Sequence, residues 1–141
     1  MILWDVNLWI FAFRPDSPYH EKSKEILHEG LIGRKQFLFS PHVASSFLRL
    51  VTNPKIFIEP SHIDEAWVFV EILENLQNAI YAEMDQMTFG IFKHLSLIHR
   101  AKGNEVPDIL LAALAIRYDA VLFTADRGFS RFRELKLQLI Q

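Results

Sequence analysis

Three aspartates lie at the sequence positions where α/β proteins place chemically active groups. Asp5 directly follows an apolar run over residues 1–4, and Asp126 closely follows another over residues 120–124. Runs without polar alternation predict strands buried on both faces, and ligands of such sheets bind beyond the carboxyl ends of the strands. Asp108 lies in the first turn of an apolar helical segment, near its positive end. If the two strands are neighbours, all three carboxylates meet at one edge of the sheet.

Carboxylates placed in this way could hold a divalent metal ion. Ionised carboxylates within several ångströms of one another repel, which raises their pKa values, and a divalent cation removes that repulsion. Because the sequence has no cysteine and no metal-binding histidine spacing, oxygen ligands favour Mg²⁺ or Mn²⁺ over zinc. Such an ion can lower the pKa of a bound water and neutralise charge on a phosphodiester under in-line attack. Taken singly, each aspartate is also of a type that often serves only as a cap.

Composition narrows the class of protein. A chain of 141 residues predicts a single domain over residues 1–141. Half of the residues are apolar, with 12 Phe and 3 Trp, which favours a buried interface with another chain. The net charge of −2 means that any nucleic-acid contact must use a local basic patch. No apolar run approaches the roughly 20 residues of a membrane span. The start of the chain lacks a basic leader, so we expect a cytoplasmic protein without a membrane partner.

Predicted strands and helices alternate along the chain. Strands are predicted over residues 1–4, 36–40, 78–82, 120–124 and 137–140. Helices are predicted over residues 18–29, 41–52, 62–73, 85–102 and 107–118, with a turn or short helix over residues 127–135. This alternation predicts a mostly parallel central sheet with helices on both faces, which is a three-layer α/β/α fold.

Local signals predict where several of these helices begin and end. Ser17 before a proline, and Ser61, each have the residue type of a helix N-cap. Gly30 and Gly33 predict the end of the first long helix. Residues 8–13 (LWIFAF) are apolar all round, so a short helix there would bury only one side and leave the other for the core or an interface.

Four sequence motifs together resemble a known family. MILWDVN opens the chain, LRLVTNP ends the helix over residues 41–52, VPD begins the apolar helix with AALA, and TADR contains the last aspartate. In this order and spacing they resemble the PIN domain family, and within it the VapC-type toxins of type II toxin–antitoxin pairs, over essentially the whole chain. The resemblance implies a metal-dependent ribonuclease with a compact α/β/α fold. It also implies a homodimer, inhibited by a small VapB-type antitoxin that inserts into the active-site groove.

The resemblance also assigns roles to residues of this chain. Asp5, Asp108 and Asp126 fall on the catalytic, metal-binding acids of the family. Asn7 and Thr124 fall on its supporting polar positions, which implies that they hydrogen-bond to the acids and orient them. RNA as the substrate is likewise implied only by the family, because phosphodiester chemistry alone does not exclude DNA.

Two positions depart from the family pattern. Ser46 stands where a glutamate is usual, and Gly128 stands where a fourth aspartate is frequent. With about two fewer negative charges among the oxygen ligands, we expect weaker metal binding and reduced or absent activity. The alternative is therefore a degenerate PIN domain that dimerises and binds antitoxin but cleaves little or nothing. Ser46 could still hold a metal-bound water.

Further interpretations remain open at this point. His42, Ser46 and Arg49 recur at helical spacing and share one polar face. Arg49 could contact RNA or antitoxin, pair with a site carboxylate, or be an ordinary exposed arginine. A receiver-like domain with a phosphorylated aspartate also has acids at strand ends, but it expects a second acid beside the first strand and a lysine after a late strand. Here Val6 follows Asp5, so this alternative is disfavoured.

Overall fold

A five-stranded parallel sheet lies at the centre of the computed structural model, which describes residues 1–140. Gln141 of the predicted domain 1–141 lies outside the described residues, as do the side chains of residues 31 and 32. The strands are β1 (Ile2–Trp4), β2 (Phe37–Phe39), β3 (Ala79–Tyr81), β4 (Val121–Thr124) and β5 (Lys136–Leu139). Their order is β3-β2-β1-β4-β5, and all four pairings are parallel. The first four strands lie inside the segments predicted from the sequence. The last begins and ends one residue earlier than predicted.

Six α-helices connect the strands. They are α1 (Val6–Phe13), α2 (His20–Ile32), α3 (Pro41–Val51), α4 (Ile63–Glu74), α5 (Gln86–Ile98) and α6 (Glu105–Arg117). A 3-10 helix (Arg127–Arg131) precedes β5. Helix α1 packs against α2 and α3, and α3 packs against α4, whereas α5 packs mainly against α6. The predicted α/β/α fold is confirmed.

The central strands are buried because both faces of the sheet are covered. Leu3 of β1 pairs in register with Leu122 of β4, and both side chains are buried. Leu38 of β2 is buried as well. Such strands have no solvent face and therefore no polar alternation, which explains why apolar runs predicted them.

A cluster of aromatic rings fixes α1, α3 and α4 to the sheet. The ring of Trp9 on α1 lies 5.9 Å from that of Phe39 on β2 and 5.8 Å from that of Phe47 on α3. The Phe47 ring lies 5.2 Å from that of Phe69 on α4. These centroid separations fall in the favourable range for aromatic pairs. The cluster therefore anchors α1, the helix that directly follows Asp5.

The two predicted serine caps are wrong. Helix α2 begins at His20, after Tyr19 in a left-handed conformation with φ of 58°. The Ser17 hydroxyl instead donates to the backbone carbonyls of Phe11, in α1, and Arg14, directly after it. Helix α4 begins at Ile63 without a side-chain cap. The Ser61 hydroxyl accepts a hydrogen bond from Arg14 at 2.9 Å. Both hydroxyls therefore form hydrogen bonds other than the predicted helix caps.

Of the two predicted terminating glycines, only one ends its helix. Gly33 follows the last residue of α2, whereas Gly30 lies inside that helix. A Cβ atom at Gly30 would lie 3.4 Å from the Trp4 ring, so α2 packs closely against β1 at this position. The apolar residues of α1 also pack within the chain, while large exposed apolar side chains occur on α4 and α5. Across residues 1–140, no helix is both long and apolar enough to cross a membrane.

A candidate carboxylate site at the sheet edge

Pairing of β1 with β4 brings residues from opposite ends of the chain together. Trp4 lies opposite Phe123 in the parallel register, and the backbone N–H of Asp5 donates to the Phe123 carbonyl at 2.9 Å. Asp5 is also the N-cap of α1, where its side chain accepts a hydrogen bond from the Val6 backbone N–H at 2.7 Å. The carboxylate is therefore held at the carboxyl end of the central strand, at the start of a helix.

Thr124 and Asn7 form a hydrogen-bonded network around the Asp5 carboxylate. The Thr124 hydroxyl donates to Asp5 Oδ2 at 2.6 Å. It accepts from Asn7 Nδ2 at 3.2 Å and from the Asp126 backbone N–H at 3.0 Å. Asn7 Nδ2 also lies 3.1 Å from Asp5 Oδ2, to which it donates. Because a hydroxyl has one donor and two acceptor positions, the fully buried Thr124 side chain is satisfied.

Burial makes Asp5 an unusual carboxyl group. Its side chain is 7% exposed, and burial raises its pKa from the usual value of 3.8 to about 6. The hydrogen bonds from Thr124 and Val6 oppose this rise, and the charges of Asp108 and Asp126 add to it. A positively charged ligand would favour the ionised form of this group.

Asp108 lies in the first turn of α6, as predicted. It is half-buried, and its pKa is raised chiefly by burial and then by the charge of Asp126. The positive charge of Arg131 opposes this shift, while Glu105 adds to it. Asp5, Asp108 and Asp126 therefore interact electrostatically with one another.

An open cavity of about 350 Å³ lies between α1, α3 and α6. Its polar lining consists of Asp5, His42, Ser45, Ser46 and Asp108. The remaining walls are aliphatic, formed by Val6, Val43, Val106, Pro107, Leu110, Leu111 and Leu114. Ser46, at the position where a glutamate was expected, thus shares a cavity with two of the predicted acids.

The other predicted residues lie outside this cavity. Asp126 is exposed, and its side chain accepts a hydrogen bond from the Gly128 backbone N–H at 2.8 Å, which caps the 3-10 helix. Its charge nevertheless raises the pKa values of Asp5 and Asp108. Arg49 is exposed on α3. Asp126 therefore caps the 3-10 helix and also acts electrostatically on Asp5 and Asp108, so a cap and a member of the site are compatible roles.

The donor chemistry suits a hard divalent cation, but the ligands are not preassembled. Within residues 1–140, no three His, Cys, Asp or Glu side chains form a group that could hold a metal ion. Asp5 and Asp108 line one cavity, and Asp126 lies beside it as a third oxygen donor. Mg²⁺ commonly uses one or two carboxylates and retains several waters. The role of the three acids as metal ligands stays a prediction.

Two charged residues near the site were not predicted from the sequence. Glu105 and Arg131 both act on Asp108, yet neither belongs to a motif used in the prediction. Glu105 precedes Asp108 by three residues, a spacing that places side chains on one helix face, so this signal was present. Arg131 follows Asp126 through a 3-10 turn, whose geometry local sequence does not define.

Comparison with known proteins places the chain in a well-populated group. The model of the PIN domain family matches residues 2–135. The chain is 34% identical over 137 residues to VapC ribonuclease Mb2897 of Mycobacterium bovis, covering 96% of this chain and 92% of that protein. It is 31% identical over 136 residues to ribonuclease VapC31 of Mycobacterium tuberculosis, covering 96% of each. The crystal structure of VapBC2 from Rickettsia felis bound to a DNA fragment from their promoter contains a chain of similar fold. That chain superposes with a TM-score of 0.71 at 18% identity, covering 100% of both chains.

Proposed function

We propose that this chain, which belongs to the PIN domain family and within it to the VapC ribonucleases, is an endoribonuclease toxin of a VapBC-type toxin–antitoxin pair. It would hydrolyse RNA phosphodiester bonds with the help of a divalent cation. The observation that carries the proposal is the buried Asp5 carboxylate, held by Thr124 and Asn7 in a cavity that it shares with Asp108.

We propose Mg²⁺ or Mn²⁺ as the cation, with Asp5 and Asp108 as ligands and Asp126 as a third ligand, directly or through water. When bound, the ion would supply an activated water and neutralise charge on the phosphodiester. Asp5 accepts three hydrogen bonds, which leaves about one of its four acceptor positions for a ligand. The oxygen-only donor set supports this choice of metal.

The remaining site residues would orient the acids and admit the substrate. Thr124 and Asn7 fix one oxygen of Asp5, so the direction of its carboxylate does not depend on the ligand. Ser46 lies in the same cavity as Asp5 and Asp108, where its hydroxyl could hold a water molecule. The open side of the cavity gives an RNA strand access to both carboxylates.

A degenerate PIN domain is the second candidate. Ser46 and Gly128 remove two acids expected from the family pattern, and the described residues contain no ready-made group of three metal ligands. Such a protein would keep the fold, the dimer and antitoxin binding, with little or no nuclease activity.

Cleavage of RNA in the presence of Mn²⁺ separates the two candidates. Purified protein would be incubated with structured and single-stranded RNA, alongside Asp108→Asn and Ser46→Glu variants. We expect the wild-type protein to cleave, and Asp108→Asn to reduce the rate by at least about a hundredfold because a metal ligand is lost. Cleavage by Ser46→Glu alone would contradict native nuclease activity and favour the degenerate domain.

A VapB-type antitoxin is the protein partner that we propose for this chain. A second cavity of about 350 Å³ lies between α3, α4 and β3 and shares Ser45 with the carboxylate cavity. Trp67 and Tyr81 line it and are 47% and 50% exposed. An apolar antitoxin segment seated there would extend directly toward the active site, which explains how binding would block the substrate.

We also propose that the chain forms a homodimer. Helix α5 exposes four large apolar side chains, Met87, Phe89, Leu97 and Ile98. An exposed apolar patch of this kind commonly marks a protein interface. It belongs to a different helix from the proposed antitoxin cavity, so both interfaces could be occupied together.

A further inference from the structure

Arg131 is exposed, yet two contacts hold its guanidinium group in place. Its Nη1 atom donates a hydrogen bond to the Gly128 backbone carbonyl at 3.1 Å. The guanidinium carbon lies 4.5 Å from the centroid of the Phe132 ring, and Phe132 is 2% exposed. A cation over a buried aromatic ring is restrained by the ring as well as attracted to it. The positive charge therefore has a defined position on the 3-10 helix next to Asp126.

The absence of a side chain at Gly128 allows this guanidinium group to approach the backbone closely. A Cβ atom at residue 128 would lie 3.2 Å from Arg131 Nη1 and 3.0 Å from Asp126 Oδ1. Both separations are tighter than ordinary carbon contacts, so a side chain at this position would displace its neighbours. The family pattern often has an aspartate at residue 128. In this chain the residue is a glycine, and its backbone carbonyl accepts a hydrogen bond from Arg131.

The guanidinium group of Arg131 has hydrogen-bond donors that no described residue uses. Arginine carries five N–H donors, and within residues 1–140 the one acceptor bound to Arg131 is the Gly128 carbonyl. Among these residues, no carboxylate lies within ion-pair distance of it. Its charge still acts on Asp108 across the edge of the site. An anion arriving at the carboxylates would therefore meet a fixed cation with free donors.

The geometry points to Arg131 as a phosphate-binding residue that contacts the RNA strand at the rim of the carboxylate site. This inference rests on the proposed nuclease function for the identity of its ligand. Three carboxylates repel a phosphodiester, and the chain's net charge of −2 offers no general attraction. A guanidinium group beside the acids supplies local attraction and can form two parallel hydrogen bonds to one phosphate.

Salt-dependent RNA binding tests this role without involving catalysis. A short fluorescein-labelled single-stranded RNA would be titrated with the protein in EDTA at several salt concentrations, using anisotropy as the readout. The variants are Arg131→Gln, Arg131→Lys and the matched control Arg133→Gln, which removes an exposed arginine two residues further on. Thermal unfolding of each variant shows whether it is folded.

We expect Arg131→Gln to weaken binding about tenfold at low salt, because a charge-assisted contact to phosphate is lost. The slope of log K against log salt should fall by about 0.7, the value for one phosphate contact on a single strand. Arg131→Lys should recover part of the affinity, and Arg133→Gln should change neither quantity. Equal effects of the two glutamine variants, or an unchanged slope in Arg131→Gln, would overturn the inference.

A second variant keeps the arginine but shifts its guanidinium group. The Cβ atom of Gly128→Leu would lie 3.2 Å from Arg131 Nη1, and its uncharged side chain would push the guanidinium group away, so we expect a loss of slope in the same direction as that of Arg131→Gln. Wild-type slope in a folded Gly128→Leu protein would count against the inference. If the wild-type protein cleaves RNA with Mn²⁺ while Arg131→Gln has an unchanged slope, this inference alone fails. If it cleaves nothing but its RNA binding depends on Arg131, the nuclease proposal alone fails.

Discussion

The raised pKa of Asp5 would couple proton binding to the binding of the metal ion proposed for this site. Because this pKa rises from 3.8 in an exposed chain to about 6 in the folded protein, the folded state binds the proton more tightly. The contribution of Asp5 to the free energy of unfolding of the metal-free protein is therefore fully present below about pH 3.8, falls as the pH rises to about 6, and is lost above that window. A metal that needs ionised Asp5 competes with this proton.

We expect Mn²⁺ to raise the thermal midpoint more at pH 7 than at pH 5, because Asp5 is largely protonated at the lower pH. Thr124→Val removes the 2.6 Å hydrogen bond that favours ionised Asp5, so the pH dependence should move to higher pH. It should also lower the free energy of unfolding by about 1–3 kcal/mol, since buried partners lose their hydrogen bond. Differential scanning fluorimetry and chemical denaturation measure these effects.

Thr124→Ser is the control for this substitution, since it keeps the hydroxyl. Its pH dependence should stay close to that of the wild-type protein. An Mn²⁺ shift that is the same at both pH values in the wild-type protein would show that Asp5 does not titrate against the metal.

Among the elements, α5 and α6 are joined at their ends by one carboxylate. Asp85 caps α5 by accepting hydrogen bonds from the Thr88 backbone N–H at 2.8 Å and from its hydroxyl at 2.7 Å. It also pairs with Arg117 at the end of α6 at 2.9 Å. The Thr88 backbone N–H contributes most to a pKa of about 2 for Asp85, followed by the Thr88 hydroxyl and Arg117. The ionised form is thus the one that holds these two helices together.

We expect Asp85→Ala to lower the thermal midpoint by several degrees at pH 7, because a cap and an interhelical pair are lost together. Since the folded pKa is depressed, the stabilising effect of Asp85 is present above about pH 3.8 and is lost as the pH falls toward 2. Thermal unfolding over this pH range measures the difference between wild type and variant. Asp64→Ala, which removes an exposed acid from the first turn of α4, should have a smaller effect.

At the scale of the whole molecule, two apolar surfaces are expected to have different partners. Light scattering should give twice the mass of one chain, and Leu97→Asp on α5 should shift the protein toward the monomer by placing a charge in the interface. Trp67→Asp on α4 should leave the dimer intact and weaken binding of the co-expressed antitoxin at least about tenfold. Loss of the dimer in Trp67→Asp, with none in Leu97→Asp, would show that the surfaces were assigned the wrong way round.

Sequence alone determined the class of fold and the places of Asp5 and Asp108 within it. Alternation of apolar strands with amphipathic helices predicted the parallel sheet, because both patterns follow from local backbone geometry and burial. Asp5 at a strand end and Asp108 in a first helical turn could be located for the same reason. The Ser61 cap failed because its hydroxyl binds Arg14, which is distant in the chain, and the Ser17 cap failed because its hydroxyl binds nearby carbonyls before α2 begins.

Tertiary structure alone decided how the acids are arranged. The adjacency of β1 and β4 brings Thr124 into contact with Asp5, although 119 residues separate them in the chain. Folding also places Asp126 outside the lining of the cavity and brings the Arg131 guanidinium group close to Gly128. Strand order and the path of a short turn depend on packing of the whole core, which no local spacing encodes. The sequence therefore predicted which acids belong to the site. Their burial and mutual proximity, which raise the pKa values of Asp5 and Asp108, arise only on folding.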